Sequence, residues 1–132
     1  MEGMRGKEVI EWEKKLQTLC HEIDRCLEHE YADQFALHPA RPPHGTTANP
    51  EMDGLFNVGA SFSAGFGSKF GPGYVLEVRL STLDAVPVAL REEFLKRVEN
   101  RLREGLPKIF PGKKLLLDRE GHHLRIHGDL SL

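Results

Sequence analysis

Apolar residues recur at spacings of three and four across residues 7 to 34. They are Val9, Trp12, Leu16, Leu19, Cys20, Ile23, Cys26, Leu27 and Tyr31, with Glu, Lys and Asp filling the opposite side. That period predicts an amphipathic helix. About 25 residues at ~1.5 Å each make it roughly 38 Å long. From Leu55 the pattern changes to period two. Phe56, Val58, Ala60, Phe62 and Ala64 alternate with Asn57, Gly59, Ser61 and Ser63, as in a strand with one buried face. GFGSKFGPG turns the chain. GYVLEVRLS then predicts a second strand with Tyr74, Leu76, Val78 and Leu80 on one face. A second helical stripe, through Val88, Leu90, Phe94, Leu95, Val98, Leu102 and Leu106, starts behind Pro87 and ends near Pro107. KKLLLDREGHHLRIHGDLSL closes as a hairpin turning near Arg119-Glu120-Gly121.

The order helix, strand, strand, helix, strand, strand predicts an α+β fold. A two-layer sandwich, with a four-stranded antiparallel-type sheet and both helices on one face, buries every apolar stripe at once. A right-handed crossover through the second helix brings the second and fourth strands together at the centre, where they are expected to run parallel. The first and third strands flank them. This is a ferredoxin-like arrangement, circularly permuted. The 132 residues read as one domain spanning 1–132, large enough to bury roughly two-thirds of its unfolded surface.

Composition narrows the classes. Hydrophobic residues make up 39% and charged residues 29%, with a formal charge of -2. A soluble globular chain fits these values. No basic run marks a nucleic-acid footprint, and no stretch approaches the ~18 apolar residues of a membrane span. The N-terminus lacks the apolar run of a signal peptide. Cys20 and Cys26 lie on one helix with diverging side chains, which argues against a disulfide and for reduced thiols in a cytoplasm.

Three places hold candidate chemistry. The alternation throws Glu77 and Arg79 of the second strand, and His123, Arg125 and His127 of the fourth, onto the sheet face away from the helices. Guanidinium groups there would bind a carboxylate or phosphate. That face offers no aromatic ring from its central strands, which counts against nucleic acid. His123 and His127 stand ~13 Å apart along a strand, too far to share one metal ion. Cys26 and His29, three apart on a helix, would need further ligands such as His38 or His44. GFGSKFGPG has no helix behind it and is a hairpin connection rather than a phosphate loop.

The third place is HPARPPHGTTANPEMDG, residues 38 to 54. It is long for a connection in a compact domain, and apolar residues anchor both ends. It gathers Arg41, His44, Thr46, Thr47, Asn49 and Asp53. With so few backbone partners, Arg41 and Asn49 should bond to the stretch's own backbone.

The sequence demands no catalysis and no cofactor. It is read as a non-catalytic binding or assembly module with room for a small anionic ligand. The long first helix should overhang the sheet, leaving Val9 and Trp12 to be covered by a second copy in a homodimer. The alternative is a small enzyme acting on an anionic substrate through Arg41, His44 and Asp53 with Arg79 or Arg125. Arg79 and Arg125 are both expected on an open surface, where losing either costs little stability.

Overall fold

The structure, a computed structural model, describes residues 2–47 and 54–130. Its elements are α1 (Glu2–Tyr31), a short 3-10 turn (Ala32–Gln34), β1 (Phe56–Ser63), β2 (Gly73–Leu80), α2 (Val88–Ile109), β3 (Leu115–Glu120) and β4 (His123–Gly128). This is an α+β arrangement of two helices and a four-stranded antiparallel sheet, in the order β1-β2-β4-β3. No described helix is long and apolar enough to cross a membrane.

The central pair differs from expectation. β2 and β4 are neighbours, as the crossover argument requires, but they run antiparallel. The reason is a matter of parity. The chain leaves β2, returns along α2, and enters β3 in the direction of β2. The hairpin from β3 then reverses β4 and slots it between the two. The crossover therefore links β2 to β3, and β4 is the inserted strand.

Period-two alternation sets the faces. Phe56, Val58, Tyr74, Leu76, Leu117, Leu124 and Ile126 are buried on the helix side. They meet Leu16, Cys20, Ile23 and Leu27 of α1 and Phe94, Val98 and Leu102 of α2 in one core. Two aromatic groups brace it. Tyr31 and Phe56 pack edge-on to Phe94, with ring centroids 4.8 and 5.1 Å away. Trp12 is sandwiched between Tyr74 at 4.7 Å and Phe110 at 4.1 Å.

That sandwich corrects a second expectation. Trp12 is only 8% exposed within one chain. Tyr74 from β2 and Phe110 from beyond α2 reach it, two contacts that helical spacing does not reveal. One turn nearer the N-terminus, Val9 and Ile10 remain exposed. α1 also starts earlier than residue 7, so its 30 residues make a rod of roughly 45 Å against ~26 Å for an eight-residue strand. Pro107 does not end α2, which continues to Ile109. A proline in the last turn removes one helical bond, while buried Leu106 and Phe110 hold both sides of it.

Candidate functional site

The outer sheet face holds Arg125 and His127 where alternation predicts, facing away from the helices. Neither is open to solvent. Arg125 is 4% exposed and His127 is also buried. The cover is the loop between β1 and β2, residues 64 to 72, folded back over the sheet. Arg125 donates from Nη1 to the Gly71 carbonyl at 3.1 Å, from Nη2 to Ser63 Oγ at 3.3 Å, and from Nε to Glu120 Oε1 at 2.9 Å. Ser68 Oγ donates to the other Glu120 oxygen at 2.5 Å. The Phe70 ring lies 4.9 Å from that of His127, whose Nε2 is 2.6 Å from Asp118 Oδ2. The expectation of an exposed Arg125 is therefore corrected. Period two fixes which face a side chain takes, and the loop decides whether that face is wet.

The electrostatics follow. Glu120 is held below the usual carboxylate range, first by the Ser68 hydroxyl bond, then by Arg125 and His123. His123 Nε2 stands 3.5 Å from Glu120 Oε1. Glu77 and Arg79 pair with each other at 3.2 Å on the exposed part of the face. On the helix side, Tyr74 is pushed up to about 12 by burial and by its bond to the Glu13 carboxylate.

The polar stretch sits at the opposite end of the β1–β2 hairpin. Its described residues are held by the ends of the hairpin and by α1. His38 N–H donates to the Ser81 carbonyl at 2.7 Å, and Gly54 N–H to that of Pro42 at 2.8 Å. Arg41 Nε donates to the Gly54 carbonyl at 3.0 Å, a tie to the stretch's own backbone as expected. His44 lies beside Gly54. Thr46 Oγ1 donates to the Pro43 carbonyl at 2.6 Å, and Thr47 is exposed. Asn49 and Asp53 lie outside the described residues. The structure thus brings Arg41, His44, Thr46 and Thr47 together near the C-terminal end of α1, and Arg125 with His123 and His127 elsewhere.

Sequence reasoning missed the residues that do most of this holding. Glu28 of α1 accepts the N–H groups of Leu55 at 2.8 Å and Phe56 at 3.0 Å, fixing where β1 begins. Ser63, Ser68, Asp118 and Glu120 form the latch over the outer face. A clue was present in GFGSKFGPG. Nine residues exceed what a tight hairpin needs, and Gly65, Gly67 and Gly71 all take positive φ, as a loop doubling back requires. Among the described residues, no group of three or more His, Cys, Asp or Glu is placed to hold a metal. Cys20 and Cys26 are not joined in a disulfide, and Cys20 is buried.

A third surface was not singled out from the sequence. β1 is an edge strand, and its Ala60, Ser61 and Phe62 are exposed. Beside them, α1 and β1 enclose an open groove of about 310 Å³ lined by Ile10, Glu13, Lys14, Gln17 and the strand from Val58 to Phe62. Ile10 is 54% exposed and Phe62 57%.

These features define a small α+β protein with a latched outer face and an uncharged edge strand, β1. Residues 7–128 match a family described as "Uncharacterised protein", and the chain belongs to that family. It is similar to an "Uncharacterized protein" of Borreliella burgdorferi, 37% identical over 118 residues, which cover 89% of this chain and 92% of the other. No solved structure matches it.

Proposed function

We propose that this protein is a non-catalytic assembly module whose working surface is the open edge of β1. The observation that carries this reading is the contrast between the two sheet edges. Natural edge strands are blunted by charge, proline or bulges. β3 has Asp118, Arg119 and Glu120 and follows Lys113 and Lys114. β1 reads FNVGASFS, with no charge and no proline. Its exposed part lies next to a groove where Ile10 and Val58 stand among Glu13, Lys14 and Gln17, a setting in which an added strand gains ladder bonds and some side-chain burial.

Catalysis on an anionic substrate has less support. The guanidinium best placed to hold an anion, Arg125, already donates to three acceptors of its own chain. The test is a photo-crosslinking side chain incorporated in cells at Ser61 and, for comparison, at Leu116 on the other edge. Adducts from position 61 and none from 116 are expected. No adduct from position 61 would sink the reading.

A further inference from the structure

We infer that the occupant of the β1 edge is a second copy of this chain, paired antiparallel with β1 about a two-fold axis at Ser61. This rests on the strand-edge reading above and names the partner.

The backbone sets the first condition. Ser81 N–H donates to the Leu55 carbonyl, so Leu55 faces β2. The parity rests on that carbonyl, since the N–H groups of Leu55 and Phe56 both reach Glu28 of α1. Alternation then directs the backbone groups of Val58, Ala60 and Phe62 away from β2, and among the described residues no strand pairs with that side. An antiparallel partner must bond to these even-numbered residues. Pairing β1 with itself about Ser61 sets Ala60 opposite the second copy's Phe62, and Phe62 opposite its Ala60. Both become hydrogen-bonded pairs, and Ser61 meets Ser61 as a non-hydrogen-bonded pair.

The side chains agree with that register. Ala60 and Phe62 both point to the helix side. Next to small Ala60 lies the groove of about 310 Å³, and two residues away stands a half-exposed phenylalanine. The strand thus carries a knob and a hole at a spacing that one two-fold operation brings together twice. Ile10 supplies apolar wall to the hole. On the outer face the same register pairs Gly59 with Ser63, with no charge on either strand. The groove also carries Glu13 and Lys14, one charge of each sign. A two-fold contact also closes on itself, leaving no free β1 edge to propagate into a fibre.

The test is disulfide mapping on the full chain in a Cys26→Ser background. Non-hydrogen-bonded antiparallel partners stand about 4.5 Å apart at Cα, within disulfide reach. Ser61→Cys should link two copies rapidly under mild oxidation, whereas Asn57→Cys and Leu116→Cys should not. Light scattering of the unmodified chain from low to high micromolar concentration should show a dimer mass. Phe62→Lys should weaken that dimer by roughly 30-fold or more, as loss of a central apolar anchor does, with unchanged far-ultraviolet circular dichroism. A monomer mass throughout, or equal linking at all three cysteine positions, would overturn the inference. In the cellular crosslinking experiment, an adduct at position 61 with a different protein defeats the second copy but leaves strand addition standing. No adduct there defeats strand addition itself.

Discussion

Arg125 and Arg79 project from the same face of the sheet, yet their losses should differ several-fold. Arg79 is exposed and pairs with Glu77 across a surface, so Arg79→Ala should cost at most about 1 kcal/mol. Arg125→Ala strands acceptors beneath a closed loop and should cost roughly 3 kcal/mol by denaturant unfolding. Glu120 gives the latch a pH dependence. Its folded pKa is lowered, so its contribution is present above the unfolded carboxylate value, near pH 4.5. The contribution is lost as pH falls through the lower folded value. Glu120→Gln should flatten that acid limb of the stability curve, and an unchanged limb would exclude Glu120 as its source. Tyr31 works the other way. Its hydroxyl is buried without a hydrogen-bond partner among the described residues, so Tyr31→Phe should leave stability unchanged or raise it by about 1 kcal/mol. A loss above that would reveal a partner.

At the scale of elements, the β1–β2 loop depends on Gly65. Its φ is +90, and a Cβ there would stand 2.3 Å from the Gly71 carbonyl carbon. Gly65→Ala should therefore lift the loop off Arg125, cost about 2 kcal/mol or more, and speed amide exchange across residues 64 to 72. Protection that survives the change would show that the loop is held without this turn. The elements themselves were largely legible, because period 3.6 and period two are local properties of the chain. What the loop covers was not. Burial of Arg125 comes from Ser63, Ser68, Gly71 and Glu120 meeting over one guanidinium, and no repeat encodes that meeting. Trp12 makes the same point. Its place on the α1 stripe could be read directly, whereas its cover comes from Tyr74 and Phe110, sixty and more residues along the chain.

For the whole molecule, strand adjacency followed from the crossover rule, and the strand direction did not. It needed the further step of counting reversals through α2 and the β3–β4 hairpin. The candidate sites were legible as residue types but not as gatherings, since Arg41 and Arg125 serve different ends of the hairpin. The ladder between β2 and β4 has a consequence of its own. It comprises only Tyr74–Ile126, Val75–Arg125 and Leu76–Leu124, while each hairpin is paired along its full length. It begins next to Gly73, where a Cβ would stand 2.2 Å from the Ile126 carbonyl oxygen. The sheet is thus two ribbons sewn by three stitches, with the Arg125 and Ser68 bonds fastened across the same seam. Under load applied between residues 60 and 117, in an optical trap for instance, the ribbons should part along this seam while each remains intact. The first extension should be a single short step, well short of full unravelling, with each ribbon yielding only at higher force.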